Sequence, residues 1–160
     1  MSPQDGWRIV VGSDDAGWEY KELIKADYEA DPRVAEVIDL GVRRGEPTAY
    51  SEIGLEAGRL IASGGADRGV LICGTGIGMA ISANKVPGVR ATTAHDSYSC
   101  ERSVLSNDCQ ILTMGQRVIG AELARRLARE WLGYVFDPSS ASNAKVAVIT
   151  RFEQAAGKNA

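Results

Sequence analysis

Gly69-Val70-Leu71-Ile72-Cys73-Gly74-Thr75-Gly76-Ile77-Gly78 is the stretch on which the fold turns. A short apolar, β-branched run stops at a lone thiol, and three alternating glycines follow at once. Small residues at helical spacing then begin at Met79-Ala80-Ile81-Ser82-Ala83. That order reads as strand, tight turn, helix. The turn falls at the carboxyl end of a strand, where open α/β sheets place their ligands. Glycines there let backbone N–H groups approach an anion closely. A thiol among such donors suits proton or acyl chemistry. On the run alone, a buried structural cysteine beside a glycine turn fits equally well.

Working outward, the same alternation recurs. Trp7 to Ser13 reads as a buried strand ending in the polar turn Ser13-Asp14-Asp15-Ala16-Gly17. A helix follows over about 18–29, with Glu19, Lys21, Glu22 and Lys25 as its polar face, and Asp31-Pro32 stops it. Val34 to Leu40 is a second strand, 41–47 a loop, and 49–62 a helix closed by Ser63-Gly64-Gly65. Asp67-Arg68 reads as a solvent turn. After the glycine turn come a strand over 89–94, a short helix over 97–104, a strand over 110–114, a strongly amphipathic helix over 121–132 and a last helix over about 141–153. The tail Ala155 to Ala160 reads as fraying. Alternating strands and helices predict one α/β domain over 1–160: a Rossmann-like, three-layer α/β/α fold around a mostly parallel five-stranded sheet. Ser13-Asp14-Asp15, Cys73-Gly74-Thr75, His95-Asp96 and Gly115-Gln116-Arg117 all close strands. A parallel sheet gathers such ends along one edge, so they converge on one crevice.

Composition narrows the chemistry. The chain has 160 residues and a formal net charge of −3, with both signs interspersed. No basic surface argues for nucleic acid or an anionic membrane. A phosphate site must therefore be local, built from a few arginines or lysines and glycine amides. Three cysteines (Cys73, Cys100, Cys109), no CxxC spacing and a single histidine disfavour both a disulfide framework and a zinc site. Cys100 and Cys109 read as packing residues. No apolar run approaches the roughly 20 residues that span a bilayer, and no signal-peptide pattern precedes the first strand. A reducing cytoplasm is the expectation. Gly74-Thr75-Gly76-Ile77-Gly78 is also not a dinucleotide site. Its glycines are spaced G-x-G-x-G on the third strand, the first strand ends in Asp14-Asp15, and no GKS or GKT is present.

The blocks Gly12-Ser13-Asp14-Asp15-Ala16-Gly17, Cys73 to Gly78, Ala83-Asn84-Lys85-Val86-Pro87-Gly88, His95-Asp96 and Gly115-Gln116-Arg117-Val118-Ile119-Gly120 resemble, in order and across nearly the whole chain, the ribose-5-phosphate isomerase B and galactose-6-phosphate isomerase family. The resemblance implies aldose–ketose isomerisation of a small phosphorylated sugar without metal or organic cofactor. It also implies a homodimer or homotetramer with active sites at the subunit interface. On it, Cys73 is the base that moves a proton between C1 and C2, with Thr75 beside it. The amides of Gly74, Gly76 and Gly78 hold the enediolate oxygen. Asp14 and Asn107 fall where the family positions sugar hydroxyls, Asp15 beside Asp14 is a further substrate-binding candidate, Arg117 matches a phosphate-binding arginine, and Lys145 lies near the region of further cationic ligands. One branch of the family uses a glutamate six residues beyond Cys73; here that position is Met79, so the thiol branch is the one resembled.

Three departures carry information. The first loop reads Ser13-Asp14-Asp15 where the family has Ser-Asp-His. Ser106-Asn107 stands where the family has His-Asn, whose histidine helps to open a furanose ring. An expected C-terminal arginine is missing around Ser140-Ala141-Ser142. A pentose 5-phosphate cyclises through its free O4. A tetrose 4-phosphate cannot, because that oxygen is esterified, and its isomerase needs no ring-opening group. Asp15 and Trp18 suit a shorter pocket. The reading is therefore the D-erythrulose-4-phosphate isomerase type, interconverting D-erythrulose 4-phosphate and D-erythrose 4-phosphate. Ribose 5-phosphate isomerisation, or a non-catalytic sugar-phosphate-binding subunit, are the alternatives. His95 lines the pocket or serves structure; no ring-opening role is assigned to it.

Overall fold

The computed structural model describes residues 5–157. Five strands, β1 (Trp7–Ser13), β2 (Val34–Asp39), β3 (Arg68–Cys73), β4 (Ala91–Thr93) and β5 (Ile111–Gly115), form one sheet in the order β2-β1-β3-β5-β4. All four pairings are parallel. The helices are α1 (Trp18–Glu29), α2 (Tyr50–Ala62), α3 (Ile77–Ala83), α4 (Ser97–Leu105), α5 (Ala121–Trp131) and α6 (Ser142–Gly157), with a 3₁₀ turn at Asp15–Gly17 before α1.

Strand alternation divides the core into two layers. Ile9, Val11, Val70, Ile72, Leu112 and Met114 face α1, α4 and α5, where they meet Ile24, Tyr28, Val104, Leu127 and Trp131. Val10, Leu71, Cys73 and Ile111 face α2 and α3, where they meet Ile53, Ala57, Met79 and Ala83. Both faces of the central strands are covered, as parallel sheets require. The edge strand β4 spans only three residues, shorter than the apolar run over 89–94 implied.

Three expectations change. Arg68 is not in a solvent turn but 6% exposed at the start of β3. Its guanidinium lies between the rings of Trp7 and Trp131, 4.2 and 4.9 Å from their centroids, and donates to the carbonyls of Trp131 and Tyr134 at the end of α5. A cation suits the orphan carbonyls of a helix C-terminus. Lys21 is not on a solvated face but 2% exposed, with Nζ 3.0 and 3.1 Å from the Asp39 carboxylate oxygens and 3.2 Å from the Val42 carbonyl. It ties α1 to the end of β2. The last helix continues through Ala155 and Ala156 to Gly157; Lys158 to Ala160 lie outside the described residues.

Candidate active site

After β1 the chain adds β2 on one side, and β3 then joins β1 on the other. The crevice between the carboxyl ends of β1 and β3 is therefore a topological switch point. Ser13 pairs with Ile72 there, so the turn after β1 meets the turn after β3. Gly17 makes this approach possible: a Cβ on it would lie 2.3 Å from the Ile72 carbonyl oxygen and 2.9 Å from the Cys73 nitrogen.

Cys73 ends β3, 4% exposed, facing the α2–α3 layer. Its Sγ accepts from the Gly76 N–H at 3.0 Å. Gly76 holds this geometry at φ +81°, a left-handed conformation that L side chains rarely adopt. Thr75 is exposed, and its Oγ1 accepts from the Ile77 N–H at 3.3 Å, leaving the hydroxyl proton free to donate. The turn thus brings one backbone N–H onto the thiol and a second, that of Ile77, onto the neighbouring Thr75 hydroxyl.

Two charged groups face this turn. The exposed Arg117, in the turn after β5, lies with Nη1 3.3 Å from where a Cβ on Gly74 would stand, and its N–H donates to the Gly74 carbonyl at 3.1 Å. Asp14 caps the 3₁₀ turn by accepting from the Gly17 N–H at 3.1 Å. Burial raises the Asp14 carboxyl above the usual carboxylate range and neighbouring Asp15 adds to this, while the Gly17 and Ala16 N–H groups and Arg117 oppose it. Asp15 is exposed on the same turn. Trp18 is half-buried, with the Arg44 guanidinium 5.7 Å above its ring.

Asn107 and Lys145 do not join this cluster within one protomer. Asn107 is exposed in the turn that precedes β5, at the opposite edge of the sheet from Cys73; Ile111 pairs with Gly69, four residues before the thiol. It lines a cavity of about 600 Å³ with Arg90, Arg102, Ser99 and Glu153. Lys145 is exposed in the first turn of α6. The segment leading there, Val135 to Pro138, packs beside Trp7, Asp67 and Arg68, again at the N-terminal ends of the strands. Motif order along a chain carries no information on which edge a loop occupies, so the resemblance alone does not separate these two residues from Cys73.

Three further side chains stand at this edge, and of these Tyr50 alone has no sequence signal. Tyr50, 47% exposed at the start of α2, lays its ring over Gly78, where a Cβ would stand 2.3 Å from Cε2. Gln116 accepts from the Tyr20 N–H at 3.1 Å and donates to Glu19 at 3.2 Å, linking the Arg117 turn to α1. His95 lies at the same edge, and its Nε2 accepts from the Gly115 N–H at 2.8 Å. Burial lowers the pKa of this imidazole, in keeping with a neutral ring that accepts. Among the described residues no group of three or more His, Cys, Asp and Glu side chains is placed to hold a metal ion. None of their helices is long and apolar enough to cross a membrane.

A thiol that accepts one amide bond inside a glycine turn, with an exposed guanidinium beside Gly74 and a carboxylate on the adjoining turn, can move a proton on a small anionic substrate while holding developing negative charge. Comparison with known proteins agrees with this chemistry. The Ribose/Galactose Isomerase family model matches residues 9–149. D-erythrulose-4-phosphate isomerase 2 of Mycolicibacterium smegmatis is 56% identical over 92% of this chain and 98% of its own length. Ribose-5-phosphate isomerase B of Escherichia coli is 37% identical over 92% of this chain and 97% of its own. The structure of ribose-5-phosphate isomerase B from Clostridium thermocellum superposes with a TM-score of 0.85 at 39% identity, covering 92% of this chain and 97% of that one. By sequence, by fold and by the extent of both, this chain belongs to the Ribose/Galactose Isomerase family.

Proposed function

We propose that this protein interconverts D-erythrulose 4-phosphate and D-erythrose 4-phosphate through an enediolate, with Cys73 as the base. The observation that carries the reading is the Cys73 sulfur, which ends β3 inside the glycine turn and accepts from the Gly76 N–H at 3.0 Å. In the ketose-to-aldose direction the thiolate takes a proton from C1. The C–H electron pair becomes the C1–C2 double bond, and negative charge moves to O2. Amides of the Gly74–Gly78 turn and the Thr75 hydroxyl stabilise that oxygen. The thiol then returns its proton to C2, and the O1 proton passes to O2, so the reaction needs no external oxidant or reductant. Arg117 binds the phosphate and Asp14, with Asp15, the hydroxyls.

Four carbons are favoured by what stands where a ring-opening group would. Ser106 cannot act as an acid–base catalyst at neutral pH. The single histidine engages Nε2 with the Gly115 N–H. The 56% identity to a protein named for D-erythrulose 4-phosphate supports the same choice.

The working unit in this proposal is a homodimer. Ile77 and Ile81 on α3, Tyr98 on α4 and Val148, Ile149 and Phe152 on α6 are each more than half exposed. Ile77 directly follows the glycine turn, so a second copy covering this face reaches the site. It would bring its own Asn107, and with it the Lys145 region, toward the Cys73 turn. Three free, buried thiols suit a reducing cytoplasm.

Turnover of D-erythrulose 4-phosphate and ribose 5-phosphate, offered side by side to the wild-type protein and to Cys73→Ala, tests the reading. Preference for the four-carbon sugar, abolished by the substitution, is expected. Faster turnover of ribose 5-phosphate overturns the substrate assignment.

A further inference from the structure

Thr113 is a polar residue in the middle of an apolar strand, and it is fully buried. It pairs with Thr93 of β4, and their hydroxyl oxygens lie 2.8 Å apart. Both reach the Gly76 carbonyl, Thr113 Oγ1 at 2.8 Å and Thr93 Oγ1 at 3.2 Å. Each hydroxyl has one proton. The arrangement that uses the two shortest contacts is a chain: Thr93 donates to Thr113, and Thr113 donates to the Gly76 carbonyl. Such chains polarise and strengthen each successive bond.

The consequence falls on the catalytic turn. A trans peptide points its C=O and N–H in opposite directions. The Gly76 carbonyl also accepts from the Ala80 N–H of α3 at 3.1 Å, and the hydroxyl pair holds it from the β4–β5 side, so the Ile77 N–H turns toward the exposed side, where it meets Thr75 Oγ1. The same glycine gives its own N–H to the Cys73 sulfur. One residue at φ +81° thus links the thiol, the Ile77 amide of the turn and a buried hydroxyl pair.

We propose that Thr113, supported by Thr93, is a positioning residue that locks the Gly76 peptide in the orientation the reaction uses. This rests on the reading of Cys73 as the base. The hydroxyl pair touches neither substrate nor thiol and acts through the backbone of the turn.

The test uses Thr113→Val, Thr93→Val, the double variant and Thr113→Ser. The readouts are the pH profile of Cys73 alkylation by iodoacetamide, localised by peptide mass, and kcat and KM for D-erythrulose 4-phosphate, with thermal unfolding to verify the fold. Without the hydroxyl bond the backbone is free to rotate about the Gly76 α-carbon, and the Gly76 N–H, in the neighbouring peptide, is held less firmly against the sulfur; a weaker N–H bond destabilises the thiolate. Thr113→Val therefore shifts the alkylation midpoint upward by about half to one pH unit. It lowers kcat about 5- to 10-fold and changes KM by less than about twofold. Thr93→Val has a smaller effect, about 2- to 3-fold in kcat, because Thr113 keeps its direct bond. The double variant falls at least as far as Thr113→Val, and Thr113→Ser restores both readouts. A folded Thr113→Val protein with the wild-type alkylation profile and kcat overturns the proposal. So does a Thr113→Ser protein as impaired as Thr113→Val, since the methyl group and not the hydroxyl would then matter. Failure of the base assignment would show separately, as turnover by Cys73→Ala, and leaves the alkylation profile interpretable.

Discussion

Replacing Gly76 with alanine separates the geometry of the catalytic turn from the general cost of a left-handed residue. Gly76 has φ +81°, and a Cβ there would lie 2.9 Å from the backbone nitrogen and carbonyl carbon of Met114, atoms fixed in the centre of the sheet. The left-handed conformation alone costs an alanine about 1–2 kcal/mol. The forced contact adds about 1–3 kcal/mol, as overpacking of a rigid interior does. The sum, about 2–5 kcal/mol, is within the stability of a typical domain. The turn can relieve the strain only by moving away from β5, which withdraws the Gly76 N–H from sulfur and its carbonyl from Thr113. Gly64→Ala is the control: φ there is +74°, yet nothing lies within 4 Å of the added Cβ. Urea unfolding should show about 1–2 kcal/mol lost in Gly64→Ala with kcat unchanged. Gly76→Ala should lose more and fall at least about 100-fold in kcat, the scale of losing an oxyanion donor. Equal destabilisation of the two variants with kcat retained in Gly76→Ala would refute the reasoning.

Other perturbations read other parts of the molecule. The His95 pKa is lowered by burial, and its Nε2 must be unprotonated to accept from Gly115. Its contribution is therefore complete above the ordinary imidazole range, near pH 6.5, and is lost as pH falls through the lower folded value. Thermal unfolding of His95→Gln should show a weaker fall in stability than wild type across that acidic window. At the Lys21–Asp39 pair, removing the carboxylate is worse than removing the buried cation, because Asp39 keeps Lys25 when Lys21 is lost. Asp39→Asn leaves the 2%-exposed ammonium with Glu22, at 2.7 Å, as its remaining carboxylate and should cost about 1–3 kcal/mol in urea unfolding, against about 1 kcal/mol or less for Lys21→Met. In the dimer proposed here, coexpressed Cys73→Ala and Asn107→Ala chains should regain about a quarter of wild-type activity. Random pairing makes about half of the dimers mixed, and each mixed dimer holds one intact site of its two. No recovery would place Asn107 outside the partner's site.

The parts of this account legible in the sequence are those encoded by local periodicity. The change from the apolar run of β3 to alternating glycines to the helical spacing of α3 locates the Cys73 turn, and the turns after β1 and β5 follow from the same strand–loop–helix pattern. What was not legible depends on register and on partners distant in sequence. Arg68 looks like a solvent residue until Trp7 and Trp131, from opposite parts of the chain, close over it. Asn107 matches half of the family's His-Asn pair, but only the pairing of Ile111 with Gly69 reveals that its loop lies at the other edge. Tyr50 has no motif of its own, and its place over Gly78 comes from helix packing. Thr113 offered one signal, a hydroxyl inside the apolar run Ile111-Leu112-Thr113-Met114. A hydroxyl buried there needs a partner, and that requirement points to the facing Thr93 and the Gly76 carbonyl.

The most direct test of Cys73 as the proton-transfer base is to incubate D-erythrulose 4-phosphate with the enzyme in D2O and follow deuterium at C1 of the substrate and C2 of the product. A thiol that exchanges with solvent should leave deuterium at both positions with the wild-type protein. Cys73→Ala should leave none above the enzyme-free rate while still binding the sugar phosphate. Deuterium incorporation by Cys73→Ala at the wild-type rate would contradict the account, because another group would then be carrying the proton.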